Sequence, residues 1–134
     1  MVGATATGKT QFSLDIAESL DGEIINCDSR LFYRGMDVAT AKPNIKERRG
    51  ITHHLIDILD PNEQYSLAEH LKAARQAVVE IISRGNLPII VGGSGQYVWA
   101  LLEGWNVPEI EPDPDLRAEL ESIIESRGIE YLAE

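Results

Sequence analysis

Gly3-Ala4-Thr5-Ala6-Thr7-Gly8-Lys9-Thr10 sets two glycines five residues apart ahead of Lys and Thr, the spacing of a phosphate-binding loop. Consecutive backbone amides that run into a helix N-terminus form an anion nest, to which Lys9 adds a point charge and Thr10 a hydroxyl able to hold Mg²⁺. A diphosphate or triphosphate binds such a loop, and the loop alone does not say which compound carries it. Asp28 is the second chemical group. It follows a predicted strand, so it faces the crevice beyond the carboxyl ends of the strands, where the phosphate loop lies. It reads as a catalytic carboxylate, with a Mg²⁺ ligand or a loop cap shared with Ser29 as the alternatives. A hydrolysing ATPase usually ends an apolar strand in Asp to position Mg²⁺. Here Leu87-Pro88-Ile89-Ile90-Val91 ends in Gly92, which weakens motor and GTPase readings.

The elements that must position these groups are legible in outline. Met1-Val2-Gly3 reads as the last step of a strand whose earlier residues are absent, because a Gly-rich turn of this kind needs a buried strand feeding it. Residues 9–20 carry Phe12, Leu14, Ile16, Ala17 and Leu20 at helical spacing, and Asp21-Gly22 stops them. Residues 23–27 read as a short strand. Residues 28–64 are broken by Gly35, Pro43, Gly50 and Pro61, with a possible strand over 54–58. Ser66-Leu67-Ala68-Glu69 is a capping box, and Leu67, Leu71, Ala74, Val78, Ile81 and Ile82 predict a helix from there to about Arg84. Residues 87–91 form a buried-type strand, and Gly92-Gly93-Ser94-Gly95 turns into a helix over 96–102. After a Pro-rich hinge at 108–114, Asp113 caps a helix with Pro114 at its first position, carrying Leu116, Leu120, Ile123 and Ile124 on one face. Strand and helix in alternation predict an α/β fold with a parallel sheet.

Composition narrows the class. The chain has 134 residues, 12 Lys+Arg against 22 Asp+Glu for a net charge of −10, and 43% hydrophobic content, which suits one soluble domain with a packed core. The lone Cys27 excludes a disulfide scaffold, reads as a small buried residue and fits a reducing compartment. Neither a run of eighteen apolar residues nor a basic region followed by an apolar run is present, so the expected location is cytoplasmic, with no membrane partner. Six of the twelve basic residues (Arg30, Arg34, Lys42, Lys46, Arg48 and Arg49) fall within residues 30–49, a segment able to meet a polyanion. From Glu103 onward the only bases are Arg117 and Arg127, against ten acids. Such a tail repels phosphate.

Several motifs in order then become informative together: the phosphate loop; Asp28-Ser29-Arg30-Leu31-Phe32-Tyr33-Arg34-Gly35-Met36-Asp37-Val38-Ala39-Thr40-Ala41-Lys42-Pro43; His53-His54-Leu55-Ile56-Asp57; and Val91-Gly92-Gly93-Ser94-Gly95-Gln96-Tyr97. This string, running through nearly the whole chain, resembles the tRNA dimethylallyltransferase (tRNA isopentenyltransferase) family. The resemblance implies a three-layer P-loop NTPase-like fold, incomplete here. Residues 1–107 would form the N-terminal part of the catalytic core, and residues 108–134 the start of a helical tRNA-binding insertion. It implies transfer of a dimethylallyl group from dimethylallyl diphosphate to the exocyclic N6 amine of the adenosine immediately 3′ of the tRNA anticodon, with Mg²⁺ as cofactor. The tRNA anticodon stem-loop is then the partner. By the same resemblance Asp28 is the general base, Ser94 stands where the family usually has Thr at the channel joining donor and acceptor, and Asp28, Ser29, Arg30, Leu31 and Arg117 contact tRNA. Gly3 through Thr10 hold the diphosphate. Arg30, Phe32, Tyr33 and Arg34 are expected to contact phosphate and stack on a base withdrawn from its stack. Asp37, Thr40 and Lys42 align with the loop after the base, where structural support and phosphate contact are both open.

The sequence departs from the family pattern at Leu31, where many members carry Gln, at Ala39 for Gly and at Gln96 for Leu. Family members are about twice this length or more, so the chain reads as a fragment, with the C-terminal half of the same protein as its missing partner and weak or absent transfer by residues 1–134 alone. His53, His54 and His70 lack a ligand set and are expected to be structural, the first two closing the crevice. Trp99 and Trp105 are expected in the core or hinge. Two alternatives stand beside the transferase: a small-molecule kinase using ATP, for which the loop and Asp28 would serve equally well, and a diphosphate-binding module without turnover.

Overall fold

The computed structural model describes residues 1–3, 7–38, 40–108 and 110–133. The Ala4, Thr5 and Ala6 positions of the phosphate loop and the Ala39 departure lie outside the described residues. The chain folds as α1 (Lys9–Ser19), β1 (Gly22–Asn26), β2 (His53–His54), α2 (Leu67–Ser83), β3 (Leu87–Val91), α3 (Gly95–Leu102) and α4 (Pro114–Arg127), with 3₁₀ turns at Ser29–Leu31 and Ile129–Ala133. β1 lies in the centre of a parallel sheet of order β2-β1-β3, with Ile24 opposite His53 and Ile89, and Asn26 opposite Val91. Val2 forms a parallel bridge to Gly92, and the Met1 amino group donates to the Ile90 carbonyl at 2.6 Å. Residues 1 and 2 therefore run along the outer edge of β3, as the strand-end reading expects.

Strand side chains alternate between faces, and that alternation builds three layers. Ile24 and Ile89 point to α1, packing with Leu14 and Ala17, while Ile25 points the other way, onto Ala74, Ala77 and Ile81 of α2. α2 starts where the capping box places it: Ser66 accepts from the Glu69 amide and Glu69 reaches back to the Ser66 amide. At Gly92 a Cβ would collide with the Cys27 carbonyl, so β3 closes onto the end of β1 only with glycine there.

The strand expected over 54–58 stops at His54. Leu55 and Asp57 take left-handed backbone angles (φ 58° and 56°) that a strand does not admit. The chain instead folds back onto the turn after Asp28, with the Asp57 amide donating to the Leu31 carbonyl and Leu59 bridging Tyr33. α4 begins as expected, Asp113 accepting from the Leu116 amide ahead of Pro114. It packs against the turn Ile129–Ala133, and Leu116 and Leu120 remain exposed. Among the described residues no helix is long and apolar enough to cross a membrane.

Candidate active site

The N-terminus of α1 and the carboxyl ends of β1 and β3 enclose a cleft of about 630 Å³. Thr7, Gly8, Lys9 and Thr10 line one side of it, and Asn26, Asp28, Arg30, Leu31, Gly92 and Gly93 line the floor and opposite wall. Gly8 adopts φ 80° at the start of α1, a conformation costly for any residue with a Cβ, and makes no side-chain cap. The N-terminus of α1 therefore opens on the cleft without a side-chain cap, and a helix N-terminus attracts anions electrostatically. Lys9 Nζ lies 3.4 Å from Thr7 Oγ1, inside the loop. Of the predicted loop residues, Gly3 adjoins the edge of β3, and Thr7 through Thr10 reach the cleft.

Asp28 follows β1 directly and caps the 3₁₀ turn, its Oδ1 accepting the Arg30 amide at 3.1 Å. Oδ2 takes no hydrogen bond from any described residue and stands where a Cβ on Gly93 would approach to 3.2 Å. A glycine at 93 thus leaves room for the carboxylate. Asp28 serves as a loop cap through Oδ1. Ser94 is not on the cleft wall; its Oγ accepts the Ser29 amide at 3.3 Å and braces the turn from behind.

The basic segment resolves into structural and available charges. Lys42, its side chain 3% exposed, is bound by Asp57 at 2.6 Å, Asp37 at 2.9 Å and the Tyr33 carbonyl at 2.6 Å. Burial alone would lower its pKa, and hydrogen bonds to Asp57 and Asp37 outweigh that and raise it. Arg48 shares Asp57, and Arg49 is held by Asp15 and Glu18. Arg34 pairs with Asp60 and the Ile58 carbonyl and does not line the cleft. Arg30 and Lys46 line it and have no carboxylate partner among the described residues. Thr40 donates to the Met36 carbonyl, so it too supports the loop.

Three expectations need correction. Phe32 is 1% exposed and packs edge-on against Tyr65 and Tyr97 beside His70, so it cannot stack on an incoming base; its ring is taken by the core behind the turn. Trp99 is 57% exposed on the outer surface of α3 and not in the core, whereas Trp105, 41% exposed, lies in the segment after α3, the hinge side of the expectation. Of the two adjacent histidines, only His53 lines the cleft. His54 points to the far face and bonds Glu23 at 2.6 Å, since neighbours on a strand face opposite ways. Burial lowers the His53 pKa. Cys27 is fully buried as expected, its Sγ 3.3 Å from His70 Nε2, and burial pushes the thiol up to about 12. Arg117 is exposed on α4 and is not brought to the cleft.

The family model described as IPP transferase matches residues 31–134. The chain belongs to the IPP transferase family. A tRNA dimethylallyltransferase of Herpetosiphon aurantiacus is 52% identical over 128 residues, covering 96% of this chain and 41% of the relative. One from Bacillus licheniformis is 46% identical, covering 98% and 42%. The full-length tRNA isopentenylpyrophosphate transferase of Bacillus halodurans superposes with a TM-score of 0.78 at 46% identity, covering 98% of this chain and 43% of that one. A eukaryotic dimethylallyltransferase acting on tRNA superposes at 0.77 with 32% identity, over 94% and 31%. The architecture is thus the P-loop NTPase-like α/β fold of these transferases. This IPP transferase chain spans about two fifths of the length of the curated relatives it matches.

The wall opposite the phosphate loop was partly missed by sequence reasoning. Asn26, Pro43 and Ile56 line the cleft beside the expected His53 and Lys46. An Asn two residues before a loop Asp is a turn signal that points to Asn26. The others are brought in by the left-handed residues of the 55–57 loop and the Lys42 ion cluster, which no periodicity announces.

Proposed function

We propose that this chain carries the donor site and proton acceptor of a tRNA dimethylallyltransferase. The reaction moves a dimethylallyl group from dimethylallyl diphosphate to N6 of the adenosine immediately 3′ of the anticodon and releases diphosphate. The observation that carries the reading is one cleft lined both by residues 7–10 of the phosphate loop and by Asp28, whose Oδ2 takes no hydrogen bond from any described residue. The loop amides and Lys9 stabilise charge on the leaving diphosphate as the allylic C–O bond breaks. The amine nitrogen forms the new C–N bond, and its proton passes to Asp28 Oδ2. Leu14, Ile24, Ile56 and Val91 give the cleft an apolar lining that suits an isoprenoid chain and excludes water from it.

The donor set fits Mg²⁺. The Thr10 hydroxyl is a hard oxygen on the cleft, beside the phosphate loop. Such an ion takes most of its ligands from phosphate and water. When bound it neutralises charge on the diphosphate. Arg30 and Lys46 are the cations for tRNA phosphates, with Ser29 and Leu31 beside them. Residues 1–107 serve as the catalytic core, 108–134 as the start of a tRNA-binding insertion with Arg117 on its surface, and the cytoplasm as the location. Full tRNA affinity requires the part of the relatives' length to which this chain has no counterpart.

Calorimetric titration with dimethylallyl diphosphate and with ATP, each with Mg²⁺, tests the reading. Preference for the allylic diphosphate supports it, and preference for ATP replaces it with a kinase. In Lys9→Ala donor affinity falls; unaltered affinity removes the phosphate loop from the donor site.

A further inference from the structure

We propose that Asn26 is a positioning residue for Asp28, an assignment that rests on Asp28 being the proton acceptor. Asn26 is 3% exposed at the end of β1, and every hydrogen-bonding atom of its side-chain amide is committed to backbone. Its Oδ1 accepts the Asp28 amide at 2.9 Å, while its Nδ2 donates to the Asp28 carbonyl at 3.0 Å and to the Leu55 carbonyl at 2.8 Å. One side chain therefore grips both ends of Asp28 and ties them to the loop that follows β2. The sheet offers no substitute. Pairing with β3 ends at Asn26 opposite Val91, with the Cys27 amide on the Val91 carbonyl as its last bond. Beyond that point the Asp28 amide has no other acceptor among the described residues.

The chemistry requires an amide at this position. An aspartate would set an acceptor against two carbonyl oxygens and add negative charge beside Asp28. A serine keeps one oxygen for the Asp28 amide but reaches less far toward Leu55. Alanine removes all three bonds. A general base displaced by about 1 Å can lose on the order of 10²-fold in rate, because the proton must move as the new bond forms. Asn26 touches Asp28 rather than the reacting atoms, so its effect falls on the chemical step and leaves donor binding alone.

Amide hydrogen exchange and transfer kinetics on the same variants test this. In Asn26→Ala the Asp28 amide exchanges on the order of tenfold faster while Cys27 keeps its protection. In a chain completed at its C-terminus and at saturating dimethylallyl diphosphate, kcat on an anticodon stem-loop falls on the order of 10²-fold with the donor KM unchanged. Asn26→Ser restores Asp28 protection and part of kcat. Unchanged Asp28 exchange in Asn26→Ala overturns the proposal, as does a donor KM that rises in step with the loss of kcat, which would make Asn26 a ligand contact. If Asn26→Ala loosens Cys27 as well, Asn26→Ser decides: Asp28 protection must follow the retained oxygen. Normal transfer by Asp28→Asn in a chain completed at its C-terminus counts against the proposed function, and the exchange measurements then judge the brace by themselves.

Discussion

In the proposed reaction Asp28 divides its two oxygens between structure and chemistry. Oδ1 is spent on the Arg30 amide, and Oδ2 faces the cleft across from Gly93. Asp28→Asn is nearly isosteric and removes the basic oxygen, so in a chain completed at its C-terminus transfer falls by roughly 10² or more while dimethylallyl diphosphate still binds; single-turnover assays beside donor titration separate the two. Gly93→Ala acts on the same atom from outside. Its Cβ would stand 3.2 Å from Oδ2, so the carboxylate has to yield by a few tenths of an ångström and transfer drops by about tenfold. A Gly93→Ala chain with full transfer would mean that Oδ2 is not the working oxygen. Motif order in the sequence points to Asp28 itself, but the division of labour depends on the rotamer, which no spacing encodes. Phe32 makes the converse case: an aromatic next to a basic pair reads as a stacking platform, and only the packing of Tyr65, His70 and Tyr97 around it shows that the ring is core.

Elements with a local signal were legible, and those made by long-range ion pairs were not. α2 is specified by its capping box and its apolar period, and the observed helix ends one residue from the expected limit. Truncating the cap in Ser66→Ala removes the acceptor for the Glu69 amide and costs about 1 kcal/mol, measurable as a lower midpoint in urea unfolding. The segment between Asp28 and α2 has no such signal. Its shape comes from Lys42, Arg48 and Asp57 meeting across fifteen residues, and Asp57 is held below the usual carboxylate range because those hydrogen bonds overcome its burial. In Lys42→Met the Asp57 charge loses its closest partner and the loop its pin, costing roughly 3 kcal/mol. The same urea titration reads that loss, and a change under 0.5 kcal/mol, within the range of ordinary surface substitutions, would show that Arg48 alone holds the loop.

For the whole molecule, two buried titratable groups on the α2 side of the sheet set its response to acid. Glu23, 6% exposed in β1, is lowered to about 2, chiefly by the Arg84 hydrogen bonds against an opposing burial effect, with His54 and Asn86 adding to it. His70 is fully buried among aromatic rings and burial lowers it to about 4, so it is neutral in the fold. Both folded values lie below the unfolded ones, 4.5 for Glu23 and 6.5 for His70, so the unfolded chain binds protons first as the pH falls and stability declines with it. The His70 contribution is intact above pH 6.5 and is lost progressively down to about pH 4, amounting to about 3 kcal/mol. The Glu23 contribution disappears between about 4.5 and 2. Replacing the imidazole by a ring that cannot titrate isolates the first of these. In His70→Phe, packed against the same Phe32 and Tyr97 rings, urea midpoints measured at pH 7 and pH 5 draw together, whereas the unsubstituted chain weakens over that interval. Equal slopes in the two proteins would assign the loss to His53, whose pKa burial also lowers, and to the carboxylates, and leave His70 without a part in it.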